Sequence, residues 1–328
     1  MIQVRKCGRA LRILAVFLLL LTLATSSCQL HTAPPGRGLS PASDLEALVQ
    51  AYNSDRQLEL VTKLVAERFQ GRAAGTEGED LARKLLAEEL QSLGLQPWSA
   101  IGLAGLLQPF AIAEADVSAE NLVVVRPGTS DSYLVLTAHY DHLGVRDGVT
   151  YPGADDNAVG VAAAVEIMRC FAETGVATKR SIVLALLSGE ETGLHGSRAL
   201  AAAIRKAGVA EQCIVLNLDM LGGVGGNSLD VWAEGSRWSI SAKLARLALQ
   251  EIQSSGLRAR RLRRRFGPVD SRSFQRAGIP SITLSWALEG RYHPYRHTPE
   301  DTLENLSPSV LQSATRAALR VAYAMAGY

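Results

Sequence analysis

The chain has 328 residues, 47% hydrophobic and 20% charged, the composition of a globular protein rather than of a disordered segment or a coiled coil. Its 34 Lys and Arg against 32 Asp and Glu leave a net charge of +2, so no overall field draws it to nucleic acid or to an anionic membrane. The four cysteines, at positions 7, 28, 170 and 213, are too few and too scattered for a disulfide scaffold or a thiolate zinc site. A bound metal would have to be held by histidines and carboxylates.

At the N-terminus Arg5, Lys6, Arg9 and Arg12 precede an uncharged run over 13–24, followed by Thr25, Ser26, Ser27 and Cys28. This pattern predicts an export signal over 1–27. The run is too short for a spanning helix, which needs roughly 20 apolar residues. Small residues directly before Cys28 resemble the lipobox of bacterial lipoproteins. That resemblance implies a lipidated Cys28 as the membrane contact, and Gln29 after it points to the outer membrane, for a periplasmic or cell-surface protein. Residues 28–43, with His31, Pro34, Pro35, Gly36, Gly38 and Pro41, lack periodicity and read as a flexible tether. The expected folded domain is 44–328.

Helical periodicity runs over 44–69 and 77–93, the second opened by Thr76 and Glu79 at the spacing of a capping box. Apolar runs of strand length follow at 122–125, 133–137, 182–187, 214–218, 229–232 and 281–285, and helical stretches at 158–173, 194–207, 236–254 and 307–323 separate many of them. The alternation predicts a three-layer α/β fold, a predominantly parallel but mixed central sheet with helices on both faces. There is no internal repeat, and one domain is the simplest count.

The informative residues stand just after the buried strands. The run at 133–137 leads to His139, Tyr140 and Asp141; 182–187 leads to Ser188, Gly189, Glu190 and Glu191; 214–218 ends at Asp219; and 281–285 leads to a loop with His293 and His297. A fifth segment, Gly153-Ala-Asp155-Asp156-Asn157, places carboxylates before a helix. Taken singly, each has a plain structural reading: a hydrogen-bonded histidine, a helix cap, a solvated loop. Asp219 resists one, because an unpaired carboxylate closing an apolar strand is costly. In open α/β sheets the carboxyl ends of the strands line the ligand crevice, so all five segments converge there. Two imidazoles with three or four carboxylates and no thiolate suit zinc or manganese, and suffice for two ions.

In chain order the motifs are His139-Tyr-Asp141-His-Leu-Gly144, Gly153-Ala-Asp155-Asp156-Asn-Ala-Val-Gly160, Ser188-Gly-Glu190-Glu191-Thr-Gly, Asn217-Leu-Asp219-Met and His297-Thr-Pro-Glu-Asp301-Thr, after the opening Gly71-Arg-Ala-Ala-Gly-Thr-Glu-Gly78. Together they resemble the co-catalytic di-zinc aminopeptidases, the group of bacterial leucyl aminopeptidase, aminopeptidase Y and, more distantly, glutamate carboxypeptidase. The resemblance implies two Zn2+ ions bridged by Asp155, one also held by His139 and Asp219, the other by Glu191 and His297. It further implies that Asp156 follows a non-proline cis peptide, that the Asp141 carboxylate orients the His139 ring, and that Glu190 is the general base of peptide hydrolysis. Spacing alone does not say which of the two glutamates is base and which is ligand.

Other features carry less. The six arginines within 258–265 read as a solvated edge strand rather than an anion site. The family's Ser-Asp-His before a Phe is here Val269-Asp270-Ser-Arg-Ser-Phe274, so the histidine is replaced. Trp286, Tyr292 and Tyr295 are candidates for a side-chain pocket; His142, His195 and His293 read as structural, and Cys170 and Cys213 as buried thiols. The rival readings are a glutaminyl cyclase, which shares the fold but uses one zinc without a His139-type ligand, and a carboxypeptidase or dipeptidase, which needs a cationic clamp. A binding protein on a decayed peptidase scaffold would show a broken ligand position, and none is found.

Overall fold

The computed structural model describes residues 41–113, 116–262, 268–287 and 293–327. The expected export signal, Cys28 and most of the tether therefore lie outside the described residues, as do Tyr292 and the last three arginines of the arginine run. Helix α1 (Pro41–Ala51) begins inside the expected tether, and α2 (Ser54–Leu64) follows it. The stretch read as continuous over 44–69 breaks at Asn53, whose extended backbone and side chain cap α2 by accepting from the Asp55 and Arg56 N–H groups. Helix α3 (Glu77–Gln91) opens on the Thr76 hydroxyl, which accepts from the Glu79 N–H. Only this half of the capping box forms; the Glu79 carboxylate turns elsewhere.

The remaining elements are β1 (Gln96–Pro97), β2 (Leu107–Ile112), β3 (Val117–Arg126), β4 (Tyr133–His139), β5 (Gly144–Arg146), β6 (Val149–Tyr151), α4 (Val159–Thr174), β7 (Ser181–Leu187), α5 (His195–Lys206), β8 (Cys213–Leu218), β9 (Ser228–Trp232), α6 (Ile240–Ser254), β10 (Ala259–Leu262), α7 (Asp270–Arg276), β11 (Ser281–Ala287) and α8 (Pro308–Gly327). The main sheet runs β1-β3-β7-β4-β8-β11-β9-β10, with β2 paired to β3. Its four central strands, β7, β4, β8 and β11, are neighbours and mutually parallel. Antiparallel pairing enters at the flanks, β3 on β7 and β9 on β11. This is the mixed α/β sheet expected.

Side chains alternate across the sheet and divide into two cores. Ile182, Leu184 and Leu186 join α4 and α8 on one face, while Val183, Ala185 and Leu187 join Leu200 and Ile204 of α5 and Phe274 of α7 on the other. Burial on both faces is why β7 reads as an unbroken apolar run, and each buried Leu or Ile contributes about 1.5–3 kcal/mol. Cys170 and Cys213 are buried free thiols. No helix among the described residues is long and apolar enough to cross a membrane.

Some strands were less legible. Strand β2 contains Pro109, which confines it to an edge position where alternation is weak. The β5–β6 hairpin turns on Asp147 and Gly148, both at positive φ, the Asp-Gly pair that a two-residue turn favours. Strand β10 is the edge strand expected of the arginine run, but Arg260 is not merely solvated: Nε and Nη2 lie 3.1 and 3.2 Å from the buried Asp230 carboxylate of β9.

Four adjacent parallel strands deliver their carboxyl ends to one side of the sheet. In register, Thr137 is level with Asn217, so His139 and Asp219, each two residues on, leave the sheet at the same height.

Candidate metal centre

Each functional side chain is fixed by the loop that follows its strand. At the end of β4, His139 is 1% exposed, and its Nδ1 lies 3.1 Å from the Asp141 carbonyl oxygen. A carbonyl only accepts, so Nδ1 carries the hydrogen, and Nε2 faces Asp156 Oδ1 at 3.2 Å. The Asp141 carboxylate lies beside the same ring, 3.6 Å from Nδ1, and also accepts the backbone N–H groups of Glu190, at 3.1 Å, and Glu191, at 3.2 Å. Asp141 thus ties the loop after β7 to the end of β4.

The shared carboxylate moves by one residue. Asp156, not Asp155, lies between the histidines: Oδ1 on His139, Oδ2 3.2 Å from His297 Nε2. Asp155 Oδ1 accepts the Gly222 N–H at 2.8 Å, and its own N–H goes to Asp301. The non-proline cis bond likewise lies one position later than expected, between Asp156 and Asn157. Asn157 then latches this loop to the β8 end, accepting from the Met220 N–H at 3.1 Å and donating to the Leu218 carbonyl at 3.0 Å. The Asp301 carboxylate holds the Asp155 and Asp156 N–H groups at 2.8 and 3.0 Å.

Two groups of ligand types result. His139, Asp156 and Asp219 form one; His142, Asp156 and Glu191 form the other, and within each the ligand atoms lie within 4.8 Å of one another. His297 joins the second, 3.1 Å from the Glu191 carboxylate and left-handed at φ 61°. His142, read from sequence as structural, puts Nδ1 3.0 Å from Glu191 Oε1. Its signal was its place in the run His139-Tyr-Asp-His142. Arg296 Nε also reaches Asp156 Oδ2, at 3.2 Å, which the sequence did not suggest. Of the aromatic candidates, Trp286 is buried in the core and Tyr295 packs against His293 with the rings tilted, centroids 5.2 Å apart.

The two adjacent glutamates are pushed in opposite directions. Burial drives Glu190 well above the ordinary carboxylate range; His139 opposes this, and Asp270, Glu191 and Asp219 reinforce it. In Glu191, burial and Asp156 are outweighed by His142 and His297, which hold it at about 2. His139 and His297 likewise hold Asp156 well below its usual value against burial. His139 is raised well above the imidazole range although burial opposes it, because Glu190, Asp141 and Asp156 prevail. Asp270, which sequence reading left to a specificity loop, is fully buried near this cluster and pushed up to about 7.

This donor set fits divalent cations. Asp155, Asp156, Glu190, Asp219, Asp270 and Asp301 are all buried, and Asp155 Oδ2 and His142 Nε2 have no hydrogen-bond partner. Buried carboxylates at this density need positive charge. Imidazoles and carboxylates without sulfur are the ligands of zinc, and donor atoms near 3 Å apart are those that one ion about 2.0–2.2 Å from each can share.

Comparison with known proteins agrees. The model described as Peptidase family M28 matches residues 121–322. A probable zinc metalloprotease of Pyricularia oryzae is 32% identical over 219 residues, 62% of this chain and 43% of that protein. A probable leucine aminopeptidase of Arthroderma otae is 27% identical over 205 residues, 61% and 56% of the two chains. This chain spans about half the length of such curated relatives. Among solved structures, the LapA aminopeptidase of Legionella pneumophila superposes with a TM-score of 0.71 at 20% identity, covering 88% of this chain and 75% of that one. A glutaminyl cyclase of Bacteroides thetaiotaomicron gives 0.69 at 19% identity, with 83% and 98% covered. At these identities the structural likeness speaks for the fold.

Proposed function

The chain belongs to peptidase family M28, and from that premise we propose that it is an exported di-zinc aminopeptidase acting on peptides. The observation that carries the reading is that one carboxylate, Asp156, stands in both ligand groups. His139 and Asp219 would complete one zinc site, and Glu191 and His297, with His142 beside them, the other. When bound, two such ions supply Lewis acidity, polarising a peptide carbonyl and making a water acidic enough to lose its proton near neutral pH.

The chain's own residues do the rest. Glu190 accepts no hydrogen bond from any described side chain, and burial raises it above the ordinary carboxylate range, so it is the carboxylate left to take the proton of the attacking water and return it to the leaving amine. Glu191, held ionised by its imidazoles, is suited to be a ligand instead. Opposite environments for neighbouring carboxylates separate base from ligand. Asp141 keeps both in place through their backbone N–H groups.

A crevice so rich in carboxylates favours a substrate's α-amine over its C-terminal carboxylate. Of the arginine run, Arg260 is committed to Asp230 and so is not the carboxylate clamp that a carboxypeptidase needs. The glutaminyl cyclase reading rests on the shared fold, and the presence of His139 beside Asp156 favours hydrolysis. Export, with Cys28 as lipid anchor, is supported by residues 1–28 of the sequence. The test is to count zinc per chain and assay aminoacyl-nitroanilides with free and acetylated amines. The reading predicts about two ions and cleavage of free-amine substrates only. One ion with cyclisation of N-terminal glutamine, or equal cleavage of blocked substrates, would contradict it.

A further inference from the structure

The matched family segment begins at residue 121, yet the most deeply buried arginine of the site lies upstream of it. Gln70, Gly71 and Arg72 are three successive residues in the left-handed region, at φ 46°, 66° and 54°. For residues with a side chain this is uncommon and requires support from the surroundings. A Cβ on Gly71 would sit 2.3 Å from the Tyr151 carbonyl oxygen and 2.7 Å from that of Gly144, so only glycine lets this turn press against the β5–β6 hairpin. The turn delivers Arg72 into the interior, where it is 0% exposed.

Among the described residues no carboxylate receives that guanidinium. Nε donates to the Tyr140 carbonyl at 2.9 Å, Nη1 to those of Leu64 and Pro152 at 2.8 and 2.7 Å, and Nη2 to that of Gly153 at 2.9 Å. Tyr140 follows His139, and Pro152 and Gly153 lead into Asp155 and Asp156. The Arg72 carbonyl in turn accepts the His142 N–H at 3.1 Å. One rigid planar fork therefore joins the two loops on which the shared carboxylate and the first imidazole stand. A few residues on, Glu79 accepts the Gly75 N–H at 2.7 Å and the hydroxyl of Ser188, the residue that opens the Glu190 and Glu191 loop. Burial explains the otherwise unused charge of both groups: Glu79 is pushed up to about 8 and Arg72 down to about 10.

We propose that residues 70–79 are a brace for the metal centre, with Arg72 setting the spacing of the His139 and Asp156 loops and Glu79 anchoring the Glu190 and Glu191 loop through Ser188. Both are positioning residues that touch neither metal nor substrate. The inference rests on the reading of the cluster as a two-zinc site.

The experiment titrates zinc into the metal-free full-length wild type, Arg72→Lys and Ser188→Ala, with the thermal transition of each metal-free chain recorded alongside. Lysine keeps the charge but replaces the fork by a single ammonium. The brace predicts that Arg72→Lys still unfolds cooperatively yet binds zinc about 10–100-fold more weakly, the usual cost of losing a partner that orients ligands. Ser188→Ala is predicted to lower kcat with KM little changed. A lower metal-free Tm with wild-type zinc affinity would make Arg72 merely structural and overturn the proposal. If Arg72→Lys does not fold, Ser188→Ala decides: wild-type zinc affinity and kcat there overturn the brace. A wild type that takes up no zinc overturns the metal reading itself, a failure distinguishable from unchanged variants.

Discussion

Two regions of this sheet bury carboxylates, and they treat them differently. At the β9–β10 edge, Asp230 is wholly buried and has its own cation: Arg260 grips both oxygens, and Ser228 donates to Oδ1 at 2.9 Å. At the carboxyl ends of β7, β4, β8 and β11, Asp156 sits among Asp155, Asp219, Glu191 and Asp301. There Arg72, fully buried, spends its donors on backbone carbonyls. A structural carboxylate is supplied with a protein partner. Carboxylates gathered around imidazoles, with Arg296 alone among the described arginines reaching Asp156, outnumber their protein cations and offer a donor set for metal cations.

The largest effect that sharpens this contrast is at Glu190. Glu190→Gln keeps the ligand set and removes the proton acceptor, so zinc content should stay at the wild-type value while kcat falls about 10²–10⁴-fold. Retention of more than a few per cent of turnover would remove Glu190 as base. At the edge, Arg260→Ala leaves Asp230 buried without its cation. Arg260 is itself 35% exposed, so water softens the loss, and urea unfolding should show about 1–3 kcal/mol of destabilisation with unchanged zinc affinity. A change in zinc affinity would mean that the two regions are not independent.

The smallest effect is a pH slope. Glu79 ionises near pH 8 in the folded chain against an ordinary value of 4.5. Between those values the native state holds a proton that the unfolded state has lost, so this group's contribution to stability falls as pH rises from about 4.5 to about 8. In the metal-free protein, Glu79→Gln should flatten that decline, as measured by Tm against pH. An unchanged slope would show that Glu79 ionises normally.

Much of this was legible in the residues. The runs at 133–137, 182–187, 214–218 and 281–285 are apolar because both faces of their strands are covered, and that same pattern marks where strands end and ligands begin. His139, the Glu190–Glu191 pair, Asp219 and His297 could thus be picked out as ligand types from their places after those runs, while the choice between the two glutamates came only from the family resemblance. Loop dihedrals decide which of two adjacent side chains turns inward, and spacing cannot supply them, so Asp155 was named in place of Asp156. The Asp141 carboxylate takes two backbone N–H groups as well as standing by the His139 ring, and Arg72 finds carbonyls. Partners on the main chain leave no trace in the pattern of side chains. Pro109 hid β2 for the opposite reason, by weakening a real strand signal.

The most direct test is zinc titration of Asp156→Ala beside Asp155→Ala. The account predicts that Asp156→Ala loses tight binding of both ions, because one carboxylate serves both sites, while Asp155→Ala retains two ions per chain. Two tightly bound ions in Asp156→Ala, or their loss in Asp155→Ala alone, would contradict it.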